Sequence, residues 1–402
     1  MKQLRRIFER FVEFTLTVSG AITGITILLI VVFLFKEGFG LFNSSSVENG
    51  YGLYVNSENR VTDLSPIETK NIFDFEITNW KEVGGADGEI IVFRFDEIFD
   101  IYSESEFGEN YELLPDKLAE VIADNPNIIA FLPQQYAPAD VIDVRQLPSK
   151  SITIADFFGG KEWLPTATPS PLFGVLPLIA GTLLVSIIAI LIALPLGLGV
   201  AIYLSELAGE RVRKFMKPTI ELLAGIPSVV YGFFGLVVLV PIVQKVFNLD
   251  VGETAFTGSL ILAVMALPTI ITVAEDAMRN TPRAMREASL ALGATHWQTI
   301  YKVVVPYSVS GISAAVVLGV GRAIGETMAV LMVTGNAAVI PHSAFVSVRT
   351  IPATIAAELG EAPAGGAHFQ SLFMLGCILF AITMIISITA EMISKRDTNK
   401  GV

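Results

Sequence analysis

The sequence predicts an all-α polytopic membrane protein with six transmembrane helices and a small α+β insertion outside the membrane between the first two. Three observations predict it. Hydrophobic residues make up 52% of the 402-residue chain and charged residues only 16%, a balance too apolar for a soluble protein. Six segments supply the run of about 20 apolar residues that a helix needs to cross the hydrocarbon core. Acidic charge is concentrated in one block: residues 43–171 hold 8 Lys+Arg against 23 Asp+Glu, a net of −15, while the whole chain is −12. The remainder is therefore weakly positive, as expected of a membrane core joined to an exported acidic domain. A nucleic-acid binder would need a basic face instead.

The expected spans are Phe14–Phe35, Gly174–Leu204, Pro218–Val243, Thr257–Met278, Ser308–Met332 and Leu372–Ile393. The first follows a basic start, Met1-Lys2-Gln3-Leu4-Arg5-Arg6. Its apolar run is longer than a signal-peptide core and lacks a small-residue cleavage site, so an uncleaved span is expected. The second contains Pro195 and Gly197, which predict a kink or tilt. Cys377 is the single cysteine and lies inside the last run, which excludes an intrachain disulfide and a cysteine-rich metal site.

Lysine and arginine in short loops set orientation. Lys2, Arg5, Arg6 and Arg10 precede the first span. Arg211, Arg213, Lys214 and Lys217 separate the second from the third. Arg279, Arg283, Arg286 and Lys302 separate the fourth from the fifth, and Lys395, Arg396 and Lys400 follow the sixth. The alternate short loops offer only Lys245 and Arg349. Both termini and the 279–307 loop are thus expected in the cytoplasm, with residues 43–171 and the loops at 244–256 and 333–371 outside.

The expected organisation is an N-terminal segment with the first span (1–42), an acidic insertion domain (43–150) and a membrane core (151–402). Within the insertion, Glu89–Phe95 alternates like a strand. Pro115–Ala123 has helical spacing with Pro and Asp in its first turn, and Asn127–Leu132 reads as a second strand. The acidic surface is read either as plain solvation or as a docking face for a soluble partner. It would repel an anionic ligand, so none is expected to bind there.

Charges at membrane depth cost at least about 2.5–3.5 kcal/mol each and mark candidate sites. Arg322 and Glu326 lie four apart in Gly319-Val320-Gly321-Arg322-Ala323-Ile324-Gly325-Glu326-Thr327. At that spacing they share one helix face and can pair, and the flanking glycines keep the surface slim. Two readings stay open: a structural ion pair, or a gate on an anion path in which the guanidinium takes an anion bidentately and the carboxylate competes for release. Thr327 belongs to the same string. Gly225 and Pro227 should distort the third span, leaving Ser228 and Tyr231 to line a polar path or simply to pack. Glu275 and Asp276, at the end of the fourth span, are expected to be solvated. His342 and His368 have no metal-ligand company, and neither a metal nor any other cofactor is expected.

The loop between the fourth and fifth spans contains Glu287-Ala288-Ser289, then Gly293, then Val303, Val305 and Pro306. It resembles the cytoplasmic Glu-Ala-Ala loop of ABC importer permeases, with Ser289 at the third position and Val303 and Val305 standing for Ile and Leu. Together with Glu221–Gly232 and Gly321–Val330, it makes the chain similar to the PstC-type permease subunits of bacterial phosphate ABC importers, over roughly 152–395. The Met328-Ala329-Val330 ending favours this subunit type over its sister. The resemblance implies a type I importer permease core paired in the bilayer with a PstA-type sister permease. Two copies of a PstB-type ATPase would sit on the cytoplasmic side, and a PstS-type phosphate-binding protein outside. It places phosphate passage at Arg322 and Glu326 and ATPase coupling at Glu287 and Gly293. The insertion at 43–150 departs from the family pattern, which has a short loop there.

The chain has no Gly-x-x-x-x-Gly-Lys-Ser/Thr phosphate loop, so it is expected not to be the ATPase; read as a transport subunit, it is not expected to be an enzyme. Alternatives are a permease for another oxyanion, such as sulfate or molybdate, and a membrane-anchored sensor or scaffold. A secondary transporter would predict internal repeats, and none is clear.

Overall fold

The computed structural model describes residues 2–138 and 141–398; Lys400 of the expected cytoplasmic tail lies outside them. Two compact units are present, one formed by residues 1–175 with 362–374, the other by 176–361 with 375–402.

The first unit begins with α1 (Lys2–Gly40). Its apolar stretch, Arg10–Asn43, is long enough to cross a membrane. The hydroxyls of Thr15, Thr17, Thr23 and Thr26 each donate to the carbonyl four residues back at 2.8–2.9 Å, so these polar groups need no water. After it comes a four-stranded sheet: β1 (Tyr51–Asn56), β2 (Ile91–Arg94), β3 (Ile128–Pro133) and β4 (Val144–Leu147), in the order β2-β3-β1-β4. β2 runs parallel to β3, and β1 is antiparallel to both β3 and β4. Helix α2 (Pro66–Phe73) starts with Pro66 in its first turn behind a Ser65–Glu68 capping box. Helix α3 (Leu114–Ala123) connects β2 to β3.

The central strands are buried on both faces. Leu53, Val55, Ile129 and Phe131 pack with Ile72, Phe73 and Trp80 on one side. Tyr54, Ile128, Ala130 and Leu132 pack with Phe107, Leu118 and Ile122 on the other. That explains why β3 reads as a continuous apolar run rather than an alternating one. Polar atoms inside are satisfied: Trp80 Nε1 donates to Asn127 O at 2.9 Å, and Asn56 Nδ2 donates to the last carbonyls of α3, Ile122 O and Ala123 O, at 3.0 and 2.9 Å. The α+β insertion is thus as expected, with β1 and β4 added to the two strands read from the sequence.

The second unit is helical. α4 (Leu176–Ile202) runs into a π turn at Tyr203–Leu207. α5 (Glu210–Ala224) is a separate helix that turns Arg213, Met216, Lys217 and Ile220 inward and exposes most of the rest. The chain then breaks at Gly225-Ile226-Pro227 and continues as α6 (Ser228–Phe234), a π turn at Gly235–Leu239, and α7 (Val240–Phe247). The third apolar span is therefore Ser228–Phe247, not Pro218–Val243. Pro227 has no N–H and holds its predecessor out of the helical region, so α5 cannot run on.

Helix α8 (Ala255–Arg279) is the most buried of the spans, with 61% of its apolar window inside the fold. Next come α9 (Arg283–Ala291), α10 (His296–Thr299) and a π turn at Ile300–Val304. The chain bends at Ser308 into α11 (Val309–Gly325), with 71° between the segments on either side. α11 stops at Gly325, and Glu326 is extended (φ −72°, ψ 131°) before α12 (Met328–Val333). The expected fifth span, Ser308–Met332, is therefore interrupted. The segment after α12 carries α13 (Ile351–Glu358), whose first N–H donates to Thr182 Oγ1 at 2.9 Å. Arg349 and Glu358 brace it with an ion pair at 2.7 Å. The chain ends in α14 (Ala367–Thr398). Among the described residues there are, by length and composition, five candidate spans, or six if the bent pair at Ser308 counts as one.

α8 packs against α4 and α11. Its Ile270, fully buried, sits between Gly197 of α4 and Gly319 of α11. A Cβ at Gly197 would lie 2.8 Å from Ile270 Cγ2, and one at Gly319 would lie 2.7 Å from Ile270 Cγ1. Both helices can approach only because neither carries a side chain there. Gly321 and Gly325 face open space instead. Gly319→Val should therefore cost about 1–3 kcal/mol by overpacking, whereas Gly321→Val should change stability by less than about 0.5 kcal/mol. Thermal unfolding of the purified chain in detergent micelles would separate the two.

Candidate translocation and coupling sites

The two broken helices of the second unit meet. α6 packs on α12, and the Gly232 position lies against Ala329: a Cβ there would come within 3.0 Å of Ala329 Cα. Tyr231 is buried in the same cluster as Ala329 and Val333. Its hydroxyl donates to Leu223 O at 2.9 Å, taking up a carbonyl freed by the break at Gly225–Pro227. Tyr231 thus closes the broken backbone, while Ser228 is half-buried at the start of α6.

Arg322 and Glu326 do not pair. The helix ends between them, so the shared face that their spacing would give is lost, and no ion pair joins them among the described residues. Arg322 lies in the last turn of α11, where the helix dipole favours a cation. Its Nη1 lies 3.4 Å from Thr269 Oγ1 of α8. The Glu326 carboxylate turns back to accept from Ala329 N at 3.4 Å, capping α12, and Thr327 Oγ1 donates to Gly325 O at 3.3 Å. Among the described residues this half-buried guanidinium makes one long hydrogen-bond contact, so most of its donors stay open to a ligand.

The 279–307 loop folds as a helical hairpin. Gly293 takes φ +84° after α9. Gly293 N donates to Leu290 O at 3.0 Å and Ala294 N to Ser289 O at 3.2 Å, a Schellman ending that needs a left-handed residue. A Thr295–Gln298 capping box then starts α10. Ser289 Oγ meets Thr299 Oγ1 at 3.0 Å and ties the two helices together. Glu287 and Ala288 are exposed, as is Pro306 beyond the π turn. Large apolar side chains on the hairpin are exposed too: Leu292 is 90% accessible and Trp297 59%.

Two buried carboxylates, neither expected from the sequence, anchor this end of the molecule. Glu275 is 1% exposed rather than solvated, with Arg213 Nη2 of α5 at 2.9 Å and Lys217 Nζ at 2.6 Å. The Arg213 contact lacks hydrogen-bond alignment, so Lys217 supplies the directional bond. Lys217 also reaches Asp276 at 2.6 Å. Burial alone would lower the Lys217 pKa, but hydrogen bonds to Asp276 and Glu275 hold it above the ordinary lysine value. The second carboxylate, Glu206 in the π turn after α4, lies 2.9 Å from Arg286 of α9. The sequence does contain a signal: Arg213, Lys217 and Ile220 fall on one face of α5. But the acids they meet are about 60 residues away, and sequence spacing cannot supply that contact. Glu275→Ala would strand two partly buried cations and should cost about 3–5 kcal/mol. Asp276, more than half exposed, should cost less than about 1 kcal/mol when replaced by Ala. Unfolding temperatures in detergent would rank the two.

Comparison with known proteins covers the same region. Residues 193–397 match the family described as the binding-protein-dependent transport system inner membrane component. The probable ABC transporter permease protein YqgH of Bacillus subtilis is 42% identical over 241 residues, which is 60% of this chain and 78% of that protein. The phosphate transport system permease protein PstC of Mesorhizobium japonicum is 40% identical over 265 residues, covering 61% and 80%. A solved chain of the MetNI methionine ABC transporter, in an inward-facing conformation, aligns over 56% of this chain and 94% of its own, with 19% identity and a TM-score of 0.42. With its multiple apolar spans, this chain is a multi-pass membrane protein and belongs to the binding-protein-dependent transport system inner membrane component family.

Proposed function

We propose that this chain is the permease subunit of an ATP-driven importer and forms part of the membrane path for inorganic phosphate. The observation that carries the cargo assignment is Arg322, a guanidinium at membrane depth with, among the described residues, no carboxylate on it and one 3.4 Å contact to Thr269. Its planar donor fork fits two oxygens of a tetrahedral anion. Relatives named as phosphate permeases, 35–40% identical, support phosphate over another oxyanion. Ser228 and Thr327, both half-buried beside the helix breaks, supply hydroxyls on the same path. Glu326 holds the break open by capping α12, and it can compete for Arg322 in another conformation, so that the anion is released.

Energy arrives from a separate ATPase of the PstB type, docked on the hairpin at α9 and α10. Exposed Leu292 and Trp297 beside Glu287 and Ala288 support such a docking face, since large apolar groups on a polar loop call for a partner. Gly293 and Pro306 set the hairpin's turn and its exit into α11. A PstA-type sister permease completes the path, and a PstS-type binding protein delivers phosphate from outside. In this orientation both termini are cytoplasmic and residues 43–171 are extracytoplasmic. The 43–150 domain, on its span 1–42, offers an acidic face outside the membrane core of 151–402, suited to guiding a soluble partner. ATP binding and hydrolysis would then shift the spans as rigid bodies between outward-open and inward-open states.

Uptake of radiolabelled phosphate by vesicles carrying the assembled complex tests this reading. Arg322→Gln removes charge-assisted hydrogen bonds worth about 1.5–3 kcal/mol each. Uptake should fall by about two orders of magnitude, at about tenfold per 1.4 kcal/mol, while the complex still assembles. Normal uptake by the variant would remove Arg322 from the path. Gly293→Ala strains the left-handed residue by about 1 kcal/mol without a clash, and Glu287→Lys reverses a charge on the docking face. Both should lower ATP-driven uptake and weaken co-purification with the ATPase. Unchanged uptake in both would remove the hairpin from coupling.

A further inference from the structure

Neither the path nor the docking face uses Glu206 or Arg286. The π turn Tyr203–Leu207 tucks the Glu206 carboxylate inside, 4% exposed, where it also accepts from Ser205 Oγ at 2.7 Å. Its Oε1 lies 2.9 Å from Arg286 Nη2. The same Nη2 donates to Met278 O, in the last turn of α8, at 2.8 Å. One guanidinium nitrogen thus joins three elements: α9 that carries it, the end of α4, and the end of α8. On α9 only Arg286 and Ser289 turn inward; the other residues are exposed. Ser289 leads no further than Thr299 in the same hairpin. A push delivered to the exposed face of α9 can therefore reach the ends of α4 and α8 through Arg286.

Resting on the permease reading above, we propose that Arg286 and Glu206 are positioning residues for coupling: a partly buried clasp that makes the cytoplasmic ends of α4 and α8 follow the coupling helix. The π turn fits this role. An extra residue in the helical turn redirects one side chain without ending the helix, and here that side chain is Glu206.

The test has two arms. In a Cys377→Ser background, spin labels on Leu207→Cys and Leu292→Cys, both exposed positions, report the distance between the end of α4 and the hairpin in lipid vesicles. The clasp predicts a narrow distance distribution, broadened by Glu206→Gln or Arg286→Gln and kept narrow by Arg286→Lys, which preserves the ion pair. In the assembled complex, ATP hydrolysed per phosphate imported should rise about tenfold in Glu206→Gln, within the range of typical coupling energies, and stay near the parent value in Arg286→Lys. A role in stability alone would lower uptake and hydrolysis together. An unchanged distribution in both Gln variants, or a fall of uptake and hydrolysis in proportion, overturns the clasp. If the unmodified complex imports no phosphate, the permease reading fails, and the distance arm still decides whether the clasp exists.

Discussion

Helix α8 must lie close to both α4 and α11, and the two glycines facing Ile270 are what allow it. In a bilayer, lipid tails are as apolar as the side chains, so helix contact is gained by close packing rather than by leaving water. Gly197 and Gly319 let the backbones of their helices reach the Ile270 side chain directly. Everything assigned to function is then referred to α8. Thr269, the neighbour of Ile270, is the contact of Arg322. One and a half turns on, Glu275 and Asp276 hold α5, and the carbonyl of Met278 holds Arg286. The proposed path and the proposed coupling hairpin are thus attached to one rod.

The electrostatics differ at two points along that rod. At the Glu275 end, the carboxylate is buried and two cations converge on it, so removal of the acid is costly while the net worth of the cluster is small. Such a cluster fixes geometry more than it adds stability. At Arg322 the opposite holds: the cation is present and the carboxylate that could neutralise it caps another helix. A charge left under-satisfied at membrane depth would be expensive, and on that cost the proposed role of Arg322 in the path rests.

The sequence and the structure agree where local signals decide. Apolar runs locate the spans, a Pro-Asp start locates α3, and the Gly293 position is legible because a helix that ends in a left-handed residue favours glycine. Breaks within spans were less legible. Gly225 and Pro227 signalled distortion, but hydropathy ran across them and merged α5 with α6. At Glu326 the helix ends without a proline, and the four-residue spacing to Arg322 suggested a pair that the backbone does not allow. Glu275 sat beside a charged neighbour at a span end, which looks like a solvated edge. Its burial depends on α5 folding back, a contact no sequence window contains. In the insertion, β1 was missed because Tyr51-Gly52-Leu53-Tyr54-Val55 is buried on both faces and does not alternate.

The central claim is that an external ATPase drives phosphate through this chain. The most direct measurement is uptake of radiolabelled phosphate by sealed vesicles that carry the chain with its sister permease, ATPase and binding protein, with and without ATP on the ATPase side. The account predicts ATP-dependent accumulation that an excess of unlabelled phosphate abolishes and an equal excess of sulfate leaves intact. Accumulation that does not need ATP, or that sulfate suppresses as well as phosphate does, would contradict it.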